Sequence, residues 1–262
     1  MVHESVKTSS ERQAENVTPL PRRAGLRRGI YLLPNLITTG ALFSGFYSII
    51  ASMTGDLEQA AIAIVIAGFL DSLDGRIARL TNTQSEFGVQ YDSLSDLVAF
   101  GVAPAVLMFS WTLNDLGKIG WFVAFLYMAC AALRLARFNT APENKVFFGL
   151  ASPAAAGTLA TLTWVWFDNK QGEIGLEFGL PFGMLTALLA LLMVSNIRYY
   201  SPKNLDVNDR VPFLFMFTIV LLFVVVAVYP PGMLLLIGLI YAGSGPIGSL
   251  LRRNKRATLG AD

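Results

Sequence analysis

The chain has 262 residues, of which 54% are hydrophobic and 15% charged, with a formal net charge of +2. With a mean hydropathy of +0.54, this excludes an ordinary soluble domain, and the small net charge gives no ground for a nucleic-acid partner. The only histidine, His3, lies in a polar N-terminal stretch, which removes Ser-His-Asp, Cys-His and His-ligated zinc chemistry.

Taken in order, residues 1–29 form a polar arm with Arg22, Arg23, Arg27 and Arg28 ahead of the first apolar run. They lack the short apolar core of a signal peptide, so a cytoplasmic arm is expected, disordered or lying on anionic headgroups. Apolar runs fit for a transmembrane helix of roughly 20 residues follow at about 31–54, 57–80, 89–113, 119–137, 150–167, 178–197, 211–229 and 231–251. The expected fold is an all-α polytopic membrane bundle of about eight helices. Lys118 and Lys170 apart, 18 of the 20 Lys and Arg residues fall on one side of such an arrangement. Basic residues are retained on the cytoplasmic side, so both termini are expected there, and the basic tail 252–262 with them. Cys130 is alone inside a span, so no internal disulfide forms and its expected role is packing. Gly101 with Ala105, and Ala151 with Ala155, read as close helix packing.

The chemistry concentrates between Asp71 and Asp96. A carboxylate in or beside hydrocarbon costs several kcal/mol unless paired, hydrated or bound to a cation. Asp71 and Asp74 are three residues apart and Asp92 and Asp96 four apart, so each pair shares one face of its helix. Two such faces make an oxygen cage suited to divalent ions, the usual apparatus for displacement at phosphorus. With no histidine at hand the base must be a carboxylate or a metal-bound oxygen, and Asp96 is the best candidate because the other three can complete the metal shell. Arg79, one turn past Gly75, could neutralise phosphate oxygens. Gly75, Ala78 and Gly88 are small enough to let a ligand touch backbone, or serve helix packing. Salt bridges to Arg76 and Arg79 are the bland alternative for the aspartates.

Asp71-x-x-Asp74-Gly75-x-x-Ala78-Arg79, eight residues, Gly88, three residues, Asp92, three residues and Asp96 resembles the signature of the CDP-alcohol phosphotransferases. The resemblance implies a membrane enzyme with a six-helix core, a homodimer binding two magnesium or manganese ions, that moves a phosphatidyl or similar group from a CDP-linked donor to an alcohol and releases CMP. It implies Asp71, Asp74, Asp92 and Asp96 as metal ligands, Asp96 also as the base, and Gly75, Ala78, Arg79 and Gly88 as the nucleotide cradle. It places the catalytic core at about 30–201. The last two spans, 202–251, carry almost no ionisable residues and are expected to add lipid-facing bulk or dimer surface.

Three further segments resemble the bacterial phosphatidylserine synthase branch of that family: Leu33 to Thr38, Leu133 to Asn139 and Gly149 to Pro153, with Ala41 and Ala151 where that branch often carries Asn and Pro. The branch implies CDP-diacylglycerol as donor and L-serine as acceptor, at the bacterial inner membrane. Arg134 and Arg137, one turn apart, could recognise serine's carboxylate, with Asn139 beside them, or could merely snorkel to the headgroups. Glycerol 3-phosphate or an inositol phosphate would want the same arginines. Asn35 and Thr38 either contact nucleotide or mark an ordinary helix start. A cation-coupled transporter, the rival of another class, would need carboxylates near mid-bilayer.

Overall fold

A computed structural model describes residues 24–81, 83–140, 148–169, 176–197, 199, 224 and 226–259. All regular elements among them are helices: α1 (Ala24–Thr54), α2 (Leu57–Leu80), α3 (Glu86–Leu116), α4 (Lys118–Thr140), α5 (Ser152–Asp168), α6 (Leu176–Val194) and α7 (Pro230–Leu259). The protein is an all-α polytopic membrane protein. Among the described residues, four stretches are long and apolar enough to cross a bilayer: Leu33–Thr54, Glu86–Leu116, Lys118–Thr140 and Pro230–Ser249. Helix α2 has the length, but its aspartates and arginines cluster in its second half. Residues 211–223 and 225 of the seventh expected span, the residue 1–23 part of the arm and the last three residues of the tail lie outside the described residues.

Helices α1, α3, α4 and α7 overrun the expected spans, because hydrocarbon thickness limits the apolar stretch and not the helix that carries it, whereas α2 matches its span. Thus α1 begins at Ala24 and continues through Pro34, where the sequence admitted a helix start. Helix α3 starts on Ser85, whose hydroxyl accepts from the Gly88 amide at 3.0 Å. That N-cap satisfies one of the orphan donors of the first turn. The same helix widens to π geometry twice, over Leu97–Val102 and Phe109–Leu113. The first π segment follows directly on Asp96.

Small residues set the helix spacing. Ala51 of α1, Ala60, Ala61 and Ala67 of α2, Ala99 and Ala103 of α3 and Ala156 and Ala160 of α5 are all buried in one cluster. Alanines let backbones approach where apolar burial alone gives no drive, as between helices in lipid. Backbones come close at Gly45 of α1, where a Cβ would lie 2.7 Å from the Ala99 Cα. Gly101 faces Ala131 of α4 in the same manner, in line with the packing read from its spacing with Ala105. Helix α3 turns into α4 through Gly117, whose φ of +58° is open to glycine at little cost. A second core, built around Tyr127, Leu150, Leu159, Leu189 and Met193, joins α4, α5 and α6, and Ala242 of α7 completes it.

Candidate active site

Four helix ends carry the polar residues: the C-terminal part of α2, the N-terminal part of α3, the C-terminal part of α4 and the N-terminus of α5. Helices α2 and α3 meet antiparallel here, so the two aspartate pairs face each other. Carboxylate oxygens of Asp71, Asp74 and Asp92 lie within 4.8 Å of one another. Asp96, one turn beyond Asp92 on the same face of α3, stands beside this triad, with its carboxyl close to that of Asp71. Asp74 is 4% exposed, and the Thr38 hydroxyl of α1 donates to its Oδ2 at 2.7 Å. Ser95 ties the same place together by donating to the Thr38 carbonyl oxygen at 3.2 Å.

The glycines of the motif differ in surroundings. A Cβ on Gly75 would meet nothing within 4 Å, so this part of α2 faces open space. A Cβ on Gly88 would stand 3.1 Å from the Ser85 Oγ and 3.4 Å from the Asn35 Oδ1. Asn35 is thereby brought to the motif from α1, whereas Thr38 is occupied in holding Asp74. Ala78 is half-buried, and Arg79 is exposed, with its Nε donating to the Gly75 carbonyl at 2.9 Å.

The two arginines of α4 separate. Arg134 turns into the bundle, where its Nη1 donates to the Ser152 Oγ of α5 at 2.6 Å. It is in electrostatic contact with Asp96, and its buried Nε has no partner among the described residues. Arg137 is exposed and lies over the Phe148 ring, 5.6 Å from its centroid. Asn139 donates to the Ser93 Oγ at 3.0 Å, which fastens the end of α4 to α3. Of the three candidate acceptor residues, only Arg134 is drawn into the bundle.

A family model described as CDP-alcohol phosphatidyltransferase matches residues 31–242. The chain belongs to that family. It is 38% identical over 198 residues to a CDP-diacylglycerol–serine O-phosphatidyltransferase of Helicobacter pylori, covering 74% of this chain and 83% of the relative. A protein of the same name from Methanocaldococcus jannaschii is 36% identical over 200 residues, 76% of this chain and 89% of the relative. An archaetidylserine synthase of Methanothermobacter thermautotrophicus is 38% identical over 170 residues, 64% of this chain and 69% of the relative.

CDP-alcohol phosphotransferases use divalent metal ions, and this site fits one. The donors are all hard carboxylate oxygens, and the buried Oδ1 of Asp92 lacks a hydrogen-bond partner. An unpaired buried acceptor beside two further carboxylates is costly without a cation. Several residues of the site were not singled out from the sequence. Ser152 lay inside a family-like segment and could have been paired with Arg134 through it. Ser93 and Ser95 had no signal beyond their places between aspartates.

Proposed function

We propose that this protein transfers the phosphatidyl group of CDP-diacylglycerol to the hydroxyl of L-serine, giving phosphatidylserine and CMP. The observation that carries this reading is the meeting of Asp71, Asp74 and Asp92 oxygens within 4.8 Å of one another, with Asp96 one turn beyond Asp92 and the half-buried Arg134 held by Ser152 on the adjoining helices. A base is needed where an acceptor hydroxyl meets a phosphorus, and Asp96 is the carboxylate left over for it. The relatives support serine, since their names share it while the lipid differs between diacylglycerol and archaeal types.

Asp71, Asp74, Asp92 and Asp96 would hold two magnesium or manganese ions, which when bound neutralise charge on the pyrophosphate. The residues themselves do the following. Gly75 and Gly88 leave room for the nucleotide, with Asn35 beside Gly88 and the Arg79 guanidinium toward the phosphates. Thr38 keeps the Asp74 carboxylate turned into the cluster. Arg134 takes the serine carboxylate through donors that Ser152 leaves free and steadies the acceptor by Asp96. Asp96 accepts the hydroxyl proton as the serine oxygen attacks the phosphorus that bears the diacylglycerol. The bond from that phosphorus to the CMP oxygen breaks, and CMP leaves with the electron pair.

The distribution of Lys and Arg supports a site and termini on the cytoplasmic face of a bacterial inner membrane, and the family supports a homodimer. The test is purified protein given CDP-diacylglycerol, manganese or magnesium, and labelled serine, glycerol 3-phosphate or inositol phosphate in parallel. Labelled phosphatidylserine is expected. Label only in the glycerophosphate or inositol lipid overturns serine as acceptor, and cation flux in proteoliposomes without lipid turnover overturns the enzyme reading.

A further inference from the structure

Helices α3 and α4 form an antiparallel hairpin that carries Asp92 and Asp96 on one arm and Arg134 on the other. The hairpin turns at Gly117, and Gly120 of α4 lies against the Leu113 carbonyl just past the turn. Farther along, a Cβ on Gly101 of α3 would stand 3.3 Å from the Ala131 Cβ of α4. At the open end the Asn139 Nδ2 donates to the Ser93 Oγ at 3.0 Å, and the same hydroxyl lies 3.2 Å from the Asn139 Oδ1. These contacts keep one register. Ser93 and Gly101 are eight residues apart on α3, and Asn139 and Ala131 are eight apart on α4. Asp96 and Arg134 both fall inside that window, which spans about 12 Å of each helix at 1.5 Å per residue.

The close contact at Gly101 does not by itself fix what lies beyond it. Between Asp96 and Gly101 the helix widens into the π segment Leu97–Val102, where the regular hydrogen-bond ladder of α3 is interrupted. The first turns of α3, Glu86–Asp96, therefore rest on ties of their own. Tyr91 and Ser95 fasten them to α1, through a hydroxyl pair with Thr39 at 2.9 Å and through the Thr38 carbonyl at 3.2 Å. Ser93 fastens them to α4. Asn139, a candidate acceptor residue by sequence, thus has both polar atoms of its amide turned to the Ser93 hydroxyl.

Resting on the reading of Asp96 as base and Arg134 as the anchor of the serine carboxylate, we propose that Ser93 and Asn139 are positioning residues, a clamp at the open end of the hairpin that sets the separation of Asp96 from Arg134. Serine spans that separation with its carboxylate at one end and its hydroxyl at the other. Loosening the clamp leaves the carboxylate on Arg134 and carries the base away from the hydroxyl, so the clamp acts on turnover more than on binding.

The test is steady-state CMP release from CDP-diacylglycerol and L-serine by Ser93→Ala, Asn139→Ala, the double variant and Ser93→Thr. Each single alanine variant is expected to lower kcat about tenfold, less than the 100-fold or so of a full 1 Å misplacement. The KM for serine and for CDP-diacylglycerol should change by less than about threefold, since binding is not what the clamp supports. The double variant should match the singles, because removing either partner already opens the clamp. Ser93→Thr keeps the hydroxyl and should retain most of the wild-type kcat. Ser93 is half-buried and Asn139 exposed, so thermal unfolding in the same detergent should stay close to wild type in all four. Wild-type kcat in both single variants, or a double variant that loses the product of the two single losses, overturns the inference. So does a raised serine KM in Asn139→Ala with Ser93→Ala unaffected, which would return Asn139 to the acceptor itself, and so does a fall in kcat that only tracks loss of folded protein. Wild-type protein that makes no phosphatidylserine at all overturns the acceptor reading, and this inference with it.

Discussion

Replacing Gly45 with alanine tests whether the spacing between α1 and α3 controls the chemistry. The added Cβ would lie 2.7 Å from the Ala99 Cα, 3.0 Å from its Cβ and 3.1 Å from its amide nitrogen. All three belong to backbone or to the first side-chain atom, so no rotamer change relieves the contact. Ordinary van der Waals contact begins near 3.4 Å, and the helices must part by about 0.7 Å. Overpacking of this kind costs about 1–3 kcal/mol of stability. The larger effect is expected in turnover. Ala99 stands three residues after Asp96, and α1 also carries Thr38, which holds Asp74. Parting these helices therefore moves Asp96 relative to the Asp74 side of the cluster. A misplacement near 1 Å costs on the order of 100-fold in rate, so a fall in kcat of about 10- to 100-fold is expected for Gly45→Ala. The assay is CMP release with CDP-diacylglycerol and serine, alongside thermal unfolding in the same detergent. Gly40→Ala is the control on the same helix, since its Cβ would meet only the Leu70 Cδ1, at 3.4 Å. It should leave both readouts near wild type. A Gly45→Ala protein with wild-type kcat would show that the approach of α1 to the π segment is packing alone.

Asp96→Asn should lower turnover by about 10²- to 10⁴-fold, the range for a general base, while CDP-diacylglycerol binding, read by a fluorescent analogue, is largely kept; full activity would remove Asp96 from the mechanism. Thr38→Val keeps the shape of the side chain and deletes the donor to Asp74. It should raise the metal concentration for half-maximal activity by about 10- to 100-fold, and an unchanged metal titration would refute a supporting role. Arg134→Lys should raise the serine KM by about tenfold or more through loss of the planar fork. Arg137→Lys, at an exposed side chain over Phe148, should change it by less than about threefold, and equal effects of the two would show that the structure divides them wrongly.

The helical fold and the position of the acidic cluster were open to reading because both follow from local rules. Apolar runs of membrane length can only be helices where no water satisfies the backbone. Spacings of three and four put each aspartate pair on one face, and the antiparallel meeting of α2 and α3 brought Asp71, Asp74 and Asp92 together. Helix periodicity could not divide Arg134 from Arg137. Three residues apart, they share a face by count, and which of them enters the bundle depends on Ser152 of α5 and on the Phe148 ring, both remote in sequence. Thr38 shows the same limit. Its hydroxyl looked free for a nucleotide from its place near the start of α1, whereas tertiary packing gives it to Asp74, 36 residues away. The π segment after Asp96 left no mark in the sequence either, since Leu97–Val102 is an apolar run that an α-helix would accept equally well.

That π segment explains how one aspartate can serve two regions. Asp92 and Asp96 lie in the regular part of α3 and point the same way, and in a helix that stayed regular the residues after them would continue the same stripe. Widening the helix at Leu97–Val102 shifts the register of everything that follows, so Ala99 and Phe100 are turned into the α1, α2 and α5 interface and Gly101 toward Ala131 of α4. The α4 backbone is close to α3 at Gly101, just beyond Asp96. Two buried groups stay without a partner among the described residues, the Asp92 Oδ1 as an acceptor and the Arg134 Nε as a donor. Held apart by a framework of alanine and glycine contacts, they call for two ligands of opposite charge, a cation at one side and an anionic acceptor at the other, with the proton-accepting carboxylate between them.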